Sequence, residues 1–463
     1  MTIRLKYLPL LLMLLFCTDT VLSQTASDIR GMHKVKRKET IFGISRRYNV
    51  TIEELIKANP EMNEPGYELK KDAVLRIPYG KAFADSEATS QASRTTEAKG
   101  TVQQEKTAAD DLRNRVIRLG VMLPLHDING DGRRMVEYYR GVLMACDSLK
   151  HKGISIDVHA WNTAEDDNLE KVLADPAAAK CDIIIGPLYS KQMEVLSAFV
   201  TKHDIRLVIP FSINAPQLYT NRNIFQIYQT PNDLNEATIN RFLERFHDYH
   251  AVFIDCNDST SKKGVFTFGL RRRLESRGIE YAITNLKSNE SLFAKAFSTN
   301  RPNVVILNTG RSPELNVAFA KLSGLRINQP SIQISLFGYT EWLLYTKYQL
   351  DNFYKFDTYI PSTFFYNPLT QATTRFEQNY RDNFHQDMMN AQPRFAITGF
   401  DQAYFFLLGL HTYGKSFNGA KGMFGYPPVQ TPLEFERIGN GGLQNRKLLF
   451  VHYTPEHRVE TVK

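Results

Sequence analysis

Cysteine is scarce, with four in 463 residues. Cys17 falls in a leader-like segment, which leaves Cys146, Cys181 and Cys256. An odd number excludes a full disulfide framework, and no Cys-x-x-Cys or His/Cys cluster offers zinc the spacing it needs. Cys181 begins an expected strand and Cys146 lies late in an expected helix. The two either meet at the lower edge of a sheet or stay buried as small hydrophobes. Long apolar runs are missing too: Tyr7 to Phe16 is the Leu-rich stretch, and it is too short to span a bilayer as a helix. Catalytic signatures are absent, with no Gly-x-Ser-x-Gly, no P-loop and no His-Glu-x-x-His. Gly439-Asn-Gly-Gly442 has no strand-to-helix frame and reads as a turn. Glu53-Glu54 and Asp166-Asp167 read as solvated charges, not carboxylates set across a groove. The chain is expected to be no enzyme and to carry no cofactor or metal.

The net charge of +8 is modest. Its densest basic runs, His33 to Lys38 and Arg271 to Arg273, do not alternate with aromatics, so nucleic acid is not an expected partner. A basic surface does suit anionic polymers of the cell envelope. Arg4 and Lys6 precede the apolar run, and Val21-Leu22-Ser23 supplies a small residue for cleavage before Gln24. Residues 1–23 therefore read as a signal peptide, which makes the mature protein exported and periplasmic. Bulky Phe16 before Cys17 argues against lipidation at that cysteine.

Cys181 to Ser190, CDIIIGPLYS, organises the rest. Three consecutive Ile with no helical period fit a strand buried on both faces of a parallel sheet. Gly186 and Pro187 end it, so Leu188, Tyr189 and Ser190 stand past its carboxyl end, where open α/β sheets bind ligands. Val116 to Leu123 before Pro124, and Arg206 to Ile209 before Pro210, Phe211 and Ser212, repeat the design. A second βα series follows, with strands at 251–255, 303–307 and 332–337 and helices between. Two sheets with loops at their strand ends imply two lobes and a cleft. Asp127, Asn129, Asp131 and Gly132 match the opening of a calcium loop, but Tyr138 holds the twelfth position where a bidentate Glu belongs. A turn-forming acidic loop is the expectation there.

Ahead of this lies a βααβ unit of under fifty residues. Lys34 to Lys36 reads as a strand, Thr40 to Tyr48 and Thr51 to Ala58 as helices, and Ala73 to Pro78 as the closing strand. Thr51-Ile-Glu-Glu54 is a capping box. His33-x-Val35, Glu39-Thr40-Ile41-Phe42-x-Ile44, Tyr48-Asn49-Val50-Thr51, Ala58-Asn59-Pro60 and Leu75-x-Ile77-Pro78 resemble a LysM domain over residues 33–79. The resemblance implies binding of N-acetylglucosamine-containing glycan such as peptidoglycan. Carried over by position, its groove would use Thr40, Ile41, Phe42, Asn59, Pro60 and Met62. Lys38 and Asp72 stand where the family usually has turn glycines, tolerable at a cost if φ is positive. Residues 80–115, rich in Ala, Ser, Thr, Gln, Glu and Lys, read as a polar linker that cannot bury enough surface to fold.

Leu119-Gly-Val-x-Leu-Pro124, Ile184-Ile-Gly-Pro187, Ile209-Pro-x-Ser212 and Gly399-Phe-Asp-Gln-Ala-Tyr404 resemble, in their order, a type 1 periplasmic binding protein over 116–463. The expected fold class is therefore α/β, a bilobed arrangement of two doubly wound parallel sheets preceded by the small LysM unit. The resemblance implies lobe 1 at about 116–247 and 362–445, lobe 2 at about 248–361 and 446–463, and three crossings near His247, Ser362 and Asn445. It also implies ligand contacts from Leu188, Tyr189, Ser190 and Ser212, faced by Asp258, Thr309 and Tyr339. Ser190 would hold a carboxylate at a helix start or simply cap that helix. Asp258 would suit an ammonium group or stay solvated. Two uses of the large domain remain open at this point: a scaffold or regulator of wall-associated envelope proteins, and capture of a small polar ligand such as an amino acid or muropeptide.

Overall fold

The structure, a computed structural model, describes residues 29–36, 39–48, 50, 52–63, 69–78 and 112–462. The leader, the Thr51 capping box, Lys38 and nearly all of the linker lie outside these residues. The chain divides into two units, at 1–104 and 105–463.

In the first unit, β1 (Ile29–Lys34) pairs antiparallel with β2 (Val74–Pro78), and α1 (Ile41–Tyr48) and α2 (Ile52–Ala58) lie between them in sequence. The first strand begins earlier than Lys34, because Gly31 to Lys34 already find partners in Val74 to Ile77. Val35, Ile44, Leu55, Leu75 and Ile77 form the core. So small a core needs polar clamps. His33 Nε2 lies 2.8 Å from Glu39, and its Nδ1 lies 2.8 Å from the Tyr48 hydroxyl. Glu39 also accepts from the Lys36 amide and from Arg47. That amide first, and then His33, hold the Glu39 carboxyl below its usual range. Asp72 adopts φ +68°, the left-handed backbone that glycine favours, and ends the turn into β2.

In the second unit β3 (Ile117–Leu123), α3 (Gly130–Lys150), β4 (Ile156–Asn162), α4 (Leu169–Leu173), β5 (Ile183–Ile185), α5 (Met193–His203), β6 (Arg206–Ile209) and β7 (Ile224–Gln226) build lobe 1. Next come α6 (Pro231–Arg245), β8 (His250–Asp255), α7 (Gly264–Ser276), β9 (Tyr281–Asn285), α8 (Glu290–Ala294) and β10 (Asn303–Leu307). The chain then runs through α9 (Ser312–Asn328), β11 (Ile334–Phe337), α10 (Thr346–Lys355) and β12 (Thr358–Ser362). It returns to lobe 1 with α11 (Gln371–Phe384), α12 (Phe395–Tyr413), β13 (Phe435–Arg437) and β14 (Leu443–Asn445). It ends with β15 (Leu449–Tyr453) and β16 (Val459–Val462) in lobe 2. The sheets run β13-β14-β7-β6-β5-β3-β4 and β16-β15-β12-β11-β10-β8-β9, mostly parallel with antiparallel edges at β13 and β15–β16.

The Ile run of β5 is buried for the reason its lack of period suggests. Ile183 and Ile185 join the cluster shared with α3 and α12, while Ile184 joins Met193, Leu196 and Val200 of α5 on the other face. Cys146 belongs to the first of these faces and Cys181 to the second, so they do not pair. Burial pushes both thiols up to about 12. Asn129 accepts from the Gly132 amide and caps α3, which gives the acidic loop its structural role.

Two boundaries shift from expectation. Helix α6 buries Ile239, Phe242 and Leu243 in the lobe 2 core, so the first crossing comes at about 227–230 and not near His247. The linker also ends sooner. Leu112 is buried in lobe 1, and Arg115 grips Asp182 with both terminal nitrogens, at 2.8 and 2.5 Å. A bidentate pair of this kind anchors the chain immediately ahead of β3.

Helices α3 and α12 approach closely through glycine. A Cβ on Gly141 would meet the Ala396 carbonyl oxygen at 1.8 Å, and one on Gly399 the Tyr138 oxygen at 2.0 Å. Two residues on, buried Asp401 accepts from the amides of Val429, Gln430 and Thr431 at 2.9, 2.8 and 2.7 Å. Burial pushes its carboxyl up to about 7 against those donors.

Candidate functional site

In the small unit the expected groove residues separate into two groups. Thr40 and Pro60 are exposed and Ile41 is half-buried. Asn59 and Met62 correct the expectation, since both are buried. The Asn59 amide donates to the carbonyls of Leu55 and Arg76, and its oxygen accepts from the Arg76 amide at 2.7 Å. Asn59 thus ties the end of α2 to β2 and has no side-chain atom left for a sugar. Met62 completes the core. The Phe42 side chain lies outside the described residues.

In lobe 1 the strand-end residues do converge. Ser190 and Ser212 hydroxyls stand 2.9 Å apart, and Ser212 Oγ also accepts from the Asn214 amide. Ser190 does not cap a helix: it opens a short 3-10 turn, and α5 starts at Met193 without a side-chain cap. Leu188 is half-buried against the core. Tyr189 is half-buried as well, its hydroxyl held above the usual range by burial first and then by the Asp131 carboxylate. Beside the serines, Phe211 packs on Tyr138, Tyr228 and Phe395 with ring centroids 5.3, 6.1 and 5.9 Å away. Sequence spacing could not have found Phe395, because α12 brings it from far along the chain.

Lobe 2 differs. Thr309 is wholly buried and donates to Asp258 at 2.7 Å. Asp258 further accepts from the Thr260 hydroxyl and amide at 2.6 and 2.9 Å, and Arg311 stands 3.5 Å away. These bonds, Thr260 first and then Thr309, hold the Asp258 carboxyl down at about 2. The side chain is 1% exposed. Asp258 is therefore neither solvated nor aimed at a ligand; it fastens its own loop to Thr309. Tyr339 is buried too, donating to the Leu307 carbonyl and packing on Phe266 and Trp342. Close by is a cavity of 310 Å³ lined by Lys263, Phe266, Tyr339, Glu341, Ser362 and Leu448. Lys263 and Glu341 pair across it at 2.6 Å, and the ammonium stands 4.5 Å from the Tyr339 ring centroid.

The Asp258 cluster makes a pH prediction. A carboxyl depressed on folding stabilises above its unfolded pKa and loses that contribution as pH falls toward the folded value. Here the window runs from about pH 4 down to about pH 2. Thermal melts of the native chain should fall across that window more steeply than those of Asp258→Asn. Parallel curves would show that the cluster contributes no linkage.

A sequence profile of the LysM domain matches residues 33–78. No curated protein matches the chain. Among solved structures, a putative branched-chain amino acid ABC transporter protein from Rhodospirillum rubrum is 13% identical. The match covers 75% of this chain and 100% of that one, with a TM-score of 0.51. Full-length LpoA from Haemophilus influenzae is 12% identical over 76% of this chain and 59% of its own, with a TM-score of 0.48. Among the described residues no helix is long and apolar enough to cross a membrane. Residues 33–78 are a LysM domain, and the large unit has the bilobed type 1 periplasmic-binding-protein fold.

Proposed function

We propose that this is a non-enzymatic, extracytoplasmic protein that binds peptidoglycan through its LysM domain and uses the bilobed domain as a scaffold or regulator of wall-associated proteins. The LysM match carries the glycan half, supported by the exposed Thr40 and Pro60. One observation carries the other half. The carboxylate best placed for an amino-acid ammonium group, Asp258, is spent inside lobe 2 on Thr260, Thr309 and Arg311. Opposite chemistry lines lobe 1, where Phe211, Tyr228 and Phe395 form an aromatic wall.

A second reading, capture of a small polar solute, draws support from the Ser190–Ser212 hydroxyl pair at the strand ends. Calorimetry of the mature chain with a mixed amino-acid panel separates the two. The expected result is no heat beyond dilution. Micromolar binding that disappears in Ser190→Ala would replace the scaffold with a solute-binding protein.

A further inference from the structure

Outside the cleft, lobe 2 exposes an apolar and cationic patch on α7. Val265 and Phe268, one helical turn apart, are 65% and 56% exposed. Ile283 of β9 is 55% exposed, and it pairs in register with Phe253, so both side chains leave the same face of the sheet. Arg271 stacks between Phe253 and Phe268, its guanidinium 5.9 and 6.0 Å from the two ring centroids. That contact places Phe268 and Ile283 on one continuous face. Arg272 lies 5.9 Å from the Phe268 centroid on the same helix.

The charges of α7 are unequally satisfied. Arg273 pairs with Glu236, and Lys263, at the N-cap, with Glu341. Arg271 and Arg272 have no carboxylate within ion-pair distance among the described residues, and the Arg271 Nε is buried without a partner. Exposed aromatic and arginine side chains at one spot are the usual composition of a binding hot spot. Beside them β9 is the last strand of its sheet, bonded among the described residues only to β8, which leaves one row of its backbone groups open there. A free strand edge next to side-chain contacts is the arrangement that takes an extended peptide.

We infer that this face of lobe 2 docks an extended segment of a partner protein that carries acidic and large apolar side chains. The carboxylates meet Arg271 and Arg272, and the apolar groups cover Phe268, Val265 and Ile283. A flat anionic membrane would satisfy the charges but leave the β9 edge unused. The surface is separate from the cleft, so its test does not depend on whether Ser190 and Ser212 hold a solute.

The test uses the mature chain and three probes: a labelled peptide alternating glutamate with leucine and phenylalanine, the same peptide with lysine for glutamate, and phosphatidylglycerol vesicles. The glutamate peptide should bind, with affinity falling as salt rises, and the lysine peptide should not. Phe268→Ser and Arg272→Glu should each weaken binding by at least about tenfold, as loss of a hot-spot side chain does. Lys347→Glu on α10 should leave it unchanged. Both patch residues are exposed, so circular dichroism should show the variants folded. Three results overturn the inference: no binding of the glutamate peptide, binding indifferent to both substitutions, or vesicle binding in its place.

Discussion

Asn59→Leu should unfold the LysM domain. The substitution keeps the volume roughly but removes three hydrogen bonds, leaving the Arg76 carbonyl and amide without the partner that buries them. Stranding such groups costs on the order of 1–3 kcal/mol each. A core built on Val35, Ile44, Leu55, Leu75 and Ile77 has little reserve against that loss. The fragment 24–80 carrying Asn59→Leu should give a coil-like circular dichroism spectrum and lose glycan binding with its fold. Asn59→Asp keeps the acceptor for Arg76 and should fall between. Pro60→Ala, at an exposed position, should stay folded. A fully folded Asn59→Leu fragment would mean the clamp is dispensable.

Gly399→Ala should cost the large domain nearly as much. The added methyl would sit 2.0 Å from the Tyr138 carbonyl oxygen, and backbone cannot rotate away as a side chain can. Helices α3 and α12 must then separate, which strains the layer that also holds Phe405, Phe406 and Val142. Overpacking of this kind costs roughly 1–3 kcal/mol or more. At about 2–4 °C per kcal/mol, the melting temperature should drop by roughly 2–12 °C. Gly324→Ala is the matched control: it lies in helix α9 with open space around it and should be neutral or slightly stabilising. Equal melting of the two variants would contradict the close helix approach.

These two residues also mark how far the sequence could be read. Gly399 stood in a recognised run and Asn59 in the LysM pattern, so their importance was visible. Their roles were not. A one-dimensional pattern assigned Asn59 to the glycan groove, whereas its amide turns inward to β2. Asp258 shows the same limit: its place beyond β8 was legible, but not that Thr260 and Thr309 would consume its oxygens. Buried strands were the easiest to recognise. The Ile183–Ile185 run lacks a helical period and ends at Gly186-Pro187, and both faces of β5 are covered. Edge strands were hardest. Tyr281–Asn285 mixes exposed Ile283 with buried Thr284, and Val459–Val462 pairs on one side only among the described residues, so neither shows a clean period. The first crossing is expected near His247, but the lobe that helix α6 joins depends on which core receives Phe242, and that is a tertiary fact.

Sedimentation with insoluble peptidoglycan tests the central claim most directly. The mature chain and residues 24–80 should both co-sediment with the polymer, while residues 112–463 should remain in the supernatant. Equal recovery of residues 112–463 and 24–80 would contradict a LysM anchor and move glycan binding to the bilobed domain.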